Sequence, residues 1–434
     1  MTAAFWIAVY LGLVLAPLFV LLVDPPPTGA GFWWDLAIAL GFAGATMMGV
    51  QFLLTARFKR AMAPFGIDII YYFHRYIAVV AFAIILAHPI ILVFDSPSVL
   101  AFLNPLRAPW YMTAGLASIA SLTAIMVTSW WRKDLGLHYD AWRIWHDALA
   151  IAALGFALAH IGGVGRYVDT PWKRALWMAI AISWLGVMAY VRLLRPWQLL
   201  RRPYDVVEVR PERGDAWTVA VRPRGHQGFR QAPGQFAWLT LRASPYAMRE
   251  HPFSISSSPA SSGLLEFTIK ELGDFTATIG TIRSGETAYV DGPYGAFSID
   301  RHDAPGYAFI AGGIGIAPLM GMLRALADRG DRRPLVLFFA YRRWERMTFR
   351  EAIEDLRGRL NLRVVYVLIE PPDGWTGETG RIGADILDRY LPPNRGDLHY
   401  FMCGPEAMTQ VVERALYGLD VPLGRLHTEL FDLV

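Results

Sequence analysis

Apolar residues are gathered along this chain rather than spread. Six stretches, at about 4–23, 33–55, 69–94, 110–131, 142–162 and 174–195, are each long enough to cross ~30 Å of hydrocarbon as a helix rising ~1.5 Å per residue. The first lacks a basic leader and runs to Asp24-Pro-Pro-Pro27, so it reads as a span rather than a cleavable signal. Beyond residue 201 the runs shorten. Tyr204–Arg210, Trp217–Arg222, Gln235–Leu241, Leu264–Lys270 and Thr287–Asp291 read as strands between Gly and Pro turns, which suits a small antiparallel barrel. From 305 strands alternate with helices. A strand at Gly306–Ala311 leads through a glycine turn into a helix. Strands at Leu335–Tyr341, Leu362–Ile369 and His399–Cys403 follow, with a helix at Phe349–Arg359. That order predicts a parallel sheet with nucleotide bound at its carboxyl edge. No internal repeat or low-complexity tract stands out. The expected domains are a six-helix membrane bundle over 1–200, an antiparallel β-barrel over 201–302 and an α/β Rossmann-like domain over 303–434.

Composition and charge sharpen this picture. Of 434 residues, 54% are hydrophobic and only 18% charged, against about 25% charged in a soluble domain. Basic residues cluster at alternate ends of the apolar stretches. Arg57, Lys59 and Arg60 follow the second, Arg132, Lys133 and Arg143 border the fourth and fifth, and Arg192, Arg195, Arg201 and Arg202 follow the sixth. The other connections hold only Arg107, then Arg166, Lys173 and Arg174. Positive charge on the cytoplasmic side places both termini there. Topology thus accounts for the net charge of +4, and nucleic acid is not needed to explain it. A single cysteine, Cys403, excludes a disulfide framework and cysteine-based iron–sulfur or zinc sites.

Four histidines fall inside the apolar stretches, His74 and His88 in the third and His146 and His160 in the fifth, 14 residues apart in each. Fourteen steps of ~100° come within about 40° of whole turns, so each pair shares one helix face, about 21 Å apart along the axis. Both helices run the same way, so His74 meets His146 near the inner leaflet and His88 meets His160 near the outer. Two levels of two imidazoles are what bis-histidine haem requires, and ionisable groups in lipid are usually functional. Zinc or copper would lack ligands at either level. Arg75 and Arg143 border the inner level, where they either pair with haem propionates or snorkel to the interface.

The remainder of the chain carries flavin and nucleotide chemistry. In His251-Pro252-Phe253-Ser254-Ile255-Ser256, after a barrel strand, His251 and Phe253 offer flat surfaces and Ser254 a hydroxyl for flavin N5. Gly273-Asp274-Phe275-Thr276 can offer backbone N–H groups and the Thr276 hydroxyl to phosphate at a helix start. The turn Gly312-Gly313-Ile314-Gly315-Ile316-Ala317-Pro318 lies between strand and helix, where glycines let a pyrophosphate approach. Cys403-Gly404-Pro405 follows a later strand and can touch the nicotinamide. Arg342 and Arg343 either hold a 2′-phosphate, favouring NADPH, or end a solvated element. Glu429 and Phe431 stand near the C-terminus, where Phe431 can cover the flavin or simply anchor the chain.

Together these features resemble the NADPH oxidase and ferric reductase superfamily over essentially the whole chain. Paired membrane histidines resemble the ferric-reductase-type domain. HPFSISS, GDFT, the DGPYG run with Gly292, Pro293 and Tyr294, GGIGIAP, CGP and the near-terminal Phe431 resemble ferredoxin–NADP reductase. The resemblance implies a haem-binding membrane bundle with two b-type haems, a FAD-binding barrel and an NADPH-binding domain in a bacterial inner membrane. Asp432-Leu-Val434 follow Phe431, a departure from eukaryotic oxidases that end on the aromatic. The expected reaction passes electrons from NADPH through FAD and the haems to oxygen, making superoxide, with no obligatory protein partner. The outer connections are short and sparsely charged, which favours oxygen over a ferric chelate. Ferric-chelate reduction, or donation of electrons to a partner protein, are the competing functions.

Overall fold

The computed structural model describes residues 3–23, 31–59, 67–165, 167–261 and 263–430. Arg60, Arg166 and Phe431 lie outside the described residues. The chain divides into two compact units at Arg195/Pro196.

The first unit is helical: α1 (Ala3–Val23), α2 (Phe32–Thr55), α3 (Ile67–Asp95), α4 (Trp110–Trp130), α5 (Tyr139–Val164) and α6 (Pro171–Ala189). A π turn at Tyr190–Leu194 carries α6 into the short α7 (Arg195–Leu200). Pro171 opens α6 in its first turn, where its missing N–H costs nothing. By length and composition α2, α3, α4, α5 and the α6–α7 run can cross a membrane, whereas the apolar run in α1 is the shorter Ala4–Pro17. Six spans were expected, and five helices meet that measure among the described residues. Phe94, Met178 and Ile182 are 83%, 62% and 64% exposed, an apolar surface that suits lipid and would be costly in water. The most buried helix is α2. Its glycines let neighbours close in, since a Cβ on Gly49 would fall 2.2 Å from the Trp184 ring and one on Gly44 2.5 Å from Ile85.

The second unit holds two sheets. Strands β1 (Tyr204–Glu212), β2 (Ala216–Pro223), β3 (Phe236–Leu241), β4 (His251–Ser254), β5 (Leu265–Lys270) and β6 (Thr287–Tyr294) form an antiparallel sheet in the order β4-β3-β6-β1-β2-β5. Just past β4, Ile255 bridges Phe267 on β5 and so links the two edge strands. Val219, Leu239, Ile255 and Phe267 fill the interior. Then come β7 (Tyr307–Gly312), α8 (Ile316–Asp328), β8 (Leu335–Tyr341), α9 (Arg350–Arg359), β9 (Leu362–Leu368), β10 (Glu378–Thr379), α10 (Ala384–Tyr390), β11 (His399–Cys403), α11 (Glu406–Gly418) and β12 (Leu426–Glu429). Their sheet is parallel, ordered β10-β9-β8-β7-β11-β12. Alternate residues of β7 serve both faces: Phe309 packs with the cluster holding α8 and α9, Ile310 with that holding α10 and α11.

Several elements depart from the hydrophobic pattern, among them β10 and α10, which it did not predict. His251–Ser254 is itself a strand rather than the loop after one, because its backbone pairs with β3 from Leu239↔His251 to Phe236↔Ser254. Thr276–Thr281 is a 3-10 helix and not the start of an α-helix. The helix Glu406–Gly418 and the half-buried strand Leu426–Glu429 were not anticipated; β12 is too short and polar to show an alternation.

The two sheets are joined through α8. A Cβ on Gly321 would lie 2.6 Å from the Ile255 carbonyl oxygen, so only glycine lets the helix seat on the barrel. One turn on, Arg324 donates to the Ser256 carbonyl at 2.8 Å and to Glu266 Oε2 at 2.7 Å. Arg324→Ala is therefore expected to destabilise this unit by about 2 kcal/mol, the worth of a charge-assisted bond lost from a half-buried site, read from urea-induced unfolding followed by flavin release.

Candidate functional site

The helical unit brings the four membrane histidines together in the expected couples. The ring centres of His74 and His146 are 6.3 Å apart, and those of His88 and His160 6.4 Å. A nitrogen bonded to a metal lies ~2 Å from it and the ring centre about 1 Å further back, so two imidazoles on opposite sides of one ion stand about 6 Å apart. Both couples fit a bis-histidine iron on this measure.

Each ring is also held through its other nitrogen. His88 Nδ1 donates to the Ala37 carbonyl at 2.8 Å and His160 Nδ1 to the Tyr111 carbonyl at 2.9 Å. Carbonyl oxygen only accepts, so Nδ1 carries the proton and Nε2 presents its lone pair, the form a metal takes. Glycine completes the arrangement four residues along each supporting helix. A Cβ on Gly41 would lie 3.0 Å from His88 Nδ1, and one on Gly115 2.9 Å from His160 Nδ1. The inner couple uses side chains instead. His74 Nδ1 lies 2.7 Å from Gln51 Oε1, and His146 Nδ1 lies 3.3 Å from Ser129 Oγ. Gln51 is buried in α2 and its Nε2 has no partner among the described residues. Gln51, Ser129, Gly41 and Gly115 escape sequence reading because each looks like an ordinary residue of an apolar helix. Arg75 is exposed beside His74, and Arg143 is half-buried on α5, three residues before His146. Asp147, next to His146, forms an ion pair with Arg192 of the π turn, a contact the basic-residue count did not suggest.

In the barrel the flavin motifs meet at one aromatic stack. Phe275 lies flat on His251, 3.8 Å between ring centres, with Phe253 6.1 Å away and nearly parallel. The Ser254 hydroxyl is buried with no hydrogen-bond partner among the described residues. An orphaned buried hydroxyl beside a flat aromatic surface fits a flavin edge. Other expected contacts are spent inside the fold. Ile255 fills the barrel core, and its N–H donates to the Gln235 carbonyl. Ser256 gives its N–H to the Glu266 carbonyl, and its hydroxyl lies 3.0 Å from Thr268 Oγ1. Thr276 Oγ1 accepts from the Leu272 and Gly273 N–H groups at 2.8 and 2.9 Å, so this hydroxyl tightens its own turn and the Gly273 donor is taken. Asp274 is exposed on that turn. Gly292 and Tyr294 serve packing: a Cβ on Gly292 would lie 2.6 Å from Ala237 Cβ, and the Tyr294 hydroxyl donates to Asp291. Pro293 follows a cis peptide bond.

At the carboxyl edge of the parallel sheet the glycines divide their work. Gly315 makes room for the chain itself, since its Cβ would fall 2.2 Å from the Cys403 carbonyl oxygen. Gly312 and Gly404 likewise let their two loops touch. Gly313, at φ +55°, has nothing within 4 Å of its missing Cβ and is the one open to a ligand. Ile316 and Pro318 are buried in α8 rather than facing a nucleotide. Cys403 stands between Ala311 on β7 and Glu429 on β12. Burial, reinforced by the Glu429 carboxylate, pushes its thiol well up, and the uncharged side chain is fully buried in the core with Ile316 rather than open to a nucleotide. Pro405 caps the same loop beside Gly312. Arg342 and Arg343 both bind one carboxylate, Glu370, at 2.7 and 2.6 Å.

Two substitutions separate the levels of the helical unit. Gly115→Ala places a methyl against His160, and if the two couples hold haem, the content measured as the pyridine haemochrome is expected to fall toward half of wild type. Gln51→Leu strips His74 of its partner and is expected to weaken binding at the inner level about 10–100-fold, read as faster haem loss to apomyoglobin.

Three family models match the chain in order: a ferric reductase like transmembrane component over residues 40–157, an FAD-binding domain over 204–298 and an oxidoreductase NAD-binding domain over 309–414. The stachydrine N-demethylase reductase subunit Stc4 of Rhizobium meliloti is 30% identical over 53% of this chain and 66% of its own length. The NADH-cytochrome b5 reductase 1 of Pyricularia oryzae is 30% identical over 40% of this chain and 58% of its own. The chain thus spans less than two thirds of the length of either relative. Among solved structures, flavohemoglobin from Malassezia yamatoensis with bound FAD and heme shares the fold at a TM-score of 0.51 and 18% identity, over 93% of this chain and 100% of that one. A ferric-reductase-type membrane component followed by FAD-binding and NAD-binding domains is the architecture of the NADPH oxidase and ferric reductase superfamily, and this chain belongs to it.

Proposed function

We propose that this chain carries electrons from cytoplasmic NADPH through FAD and two b-type haems to molecular oxygen beyond a bacterial inner membrane, producing superoxide. One observation carries the reading: two imidazole couples at separate levels, 6.3 and 6.4 Å between ring centres, with Nδ1 of each ring against a partner. When bound, nicotinamide supplies a hydride, flavin splits its two electrons, and each iron passes one at a time.

The chain's own residues position these groups. Ser254 holds flavin N5 and His251 and Phe253 flank the ring. The open face at Gly313 would admit the pyrophosphate, and the Cys403-Gly404 turn beside Glu429 would border the nicotinamide. Phe431 would shield the flavin between turnovers. His74 and His146 would hold the inner haem, with Arg75 and Arg143 available to its propionates, and His88 and His160 would hold the outer one. With α1 as the sixth span both termini face the cytoplasm, as the basic residues Arg57, Arg132, Lys133, Arg192 and Arg195 require. Were haem held by two histidines at each level, no iron position would be left for the acceptor to bind. The outer connections carry few charges to recruit a ferric chelate. The family model's description keeps ferric-chelate reduction as the second reading.

Reduced-minus-oxidised spectra of the purified protein should carry the bands of low-spin bis-histidine haem, and at least one of the four His→Ala variants should lose part of them. Superoxide dismutase-sensitive reduction of cytochrome c in air, with slow ferric-chelate reduction under nitrogen, is the expected pattern, and its reverse would move the acceptor to ferric iron. Glu370 competes with a 2′-phosphate for Arg342 and Arg343. Glu370→Gln should therefore raise the ratio of kcat/KM for NADPH over NADH by about tenfold.

A further inference from the structure

Three histidines outside this chemistry meet at the amino edge of the parallel sheet, away from Cys403 and Glu429. His302 follows the 3-10 turn Ile299–Arg301, His399 opens β11 and His427 lies on β12. The rings of His302 and His427 are stacked at 3.8 Å, and that of His399 lies 4.9 and 5.0 Å from them. One nitrogen from each ring falls within 4.8 Å of the other two. His399 Nδ1 and His427 Nε2 are only 2.7 Å apart.

We propose that His302, His399 and His427 form a binding site for a zinc-class divalent transition-metal ion. Three imidazoles and no thiolate favour Zn²⁺ and its neighbours over Mg²⁺ or Ca²⁺, which take oxygen ligands. A tetrahedral ion with ~2 Å bonds needs its nitrogens about 3.3 Å apart, a spacing bracketed by the 2.7 Å of the His399–His427 pair and the 4.8 Å that bounds the set. Burial, with Arg425 and the neighbouring imidazoles adding to it, holds His427 down to about 3 and His399 to about 4, and His302 is lowered by burial and Arg301. All three are neutral at cellular pH, so a metal displaces no proton from them. His302 also lines a cavity of about 190 Å³ with Asp300, Asp303, Arg329 and Arg333.

Arg425 is the built-in competitor. Its Nη1 lies 2.7 Å from His399 Nε2, and guanidinium only donates, so His399 accepts there and donates from Nδ1 to His427. A metal on His399 Nδ1 moves that proton to Nε2 and turns Arg425 out to solvent, which its half-buried position on a surface turn allows. The ion would tie the edge strand β12 to β11 and to the segment before β7, a structural role separate from electron transfer.

The test uses full-length protein without a polyhistidine tag, stripped by chelator, dialysed against buffered zinc and analysed for zinc by mass spectrometry. One zinc per chain is expected, with affinity weakened more than about tenfold in His399→Ala and tightened about tenfold in Arg425→Ala. Equal zinc uptake by wild type and the triple alanine variant of the three histidines would overturn the proposal, as would weaker uptake by Arg425→Ala. Flavin content checks that each variant folds. Arg425→Ala keeps all three imidazoles and tests the site even where His399→Ala loses its flavin. Zinc counting is independent of haem, so its failure is distinct from failure of the electron-transfer reading.

Discussion

Everything in the helical unit turns on what becomes of the second nitrogen of an imidazole. A histidine in an apolar bundle must satisfy Nδ1 before Nε2 can be aimed, and a backbone carbonyl does both at once by fixing tautomer and ring direction. A helical carbonyl already accepts the N–H four residues on, so it can serve a second donor only where that next turn leaves space. At Ala37 and Tyr111 the residue four on is glycine, and the His88 and His160 rings occupy the vacated volume. Helix packing, ligand orientation and the choice of glycine are one constraint met twice.

The soluble unit solves a related problem with different parts. Two loops and a helix must come together around a cleft while leaving one face open. Gly315, Gly312 and Gly404 are used up in letting the loops after β7 and β11 touch, and Gly321 in letting α8 reach the barrel. Only Gly313 keeps open space. Arg324 then locks barrel to sheet through Glu266, a charge-assisted pair 2.7 Å apart.

Much of this was legible in the chain. Twenty-residue apolar runs are nearly unambiguous, so the helices fall within a few residues of their expected ends, and the fixed 14-residue interval set the four histidines at two levels. Strands with clear alternation were found, while β4 and β12 were not. His251–Ser254 reads as a functional loop because its side chains are mixed, yet its backbone is paired, and pairing leaves no mark on composition. The same limit hid which members of a motif face the ligand. Ser254 and Ser256 are alike on paper, and an unbroken strand would set both on one face, but β4 ends at Ser254 and the Ser256 hydroxyl turns to Thr268 in the barrel while that of Ser254 is left without a partner among the described residues. Gln51 and Ser129 were invisible for a further reason: they act on residues 23 and 17 positions away, through contacts that only the packed helices create.

The repeated carbonyl and glycine also bear on how this chain can change over time. A methyl group is the smallest side chain that can replace a hydrogen, and at Gly41 and Gly115 it lands on the ligand ring itself. Lipid-facing positions of α2 and α4 can drift among apolar residues at almost no cost, whereas their inner faces have no neighbouring sequence to drift into. The tightest limits on side-chain size thus fall on α2 and α4, helices that carry no histidine of their own.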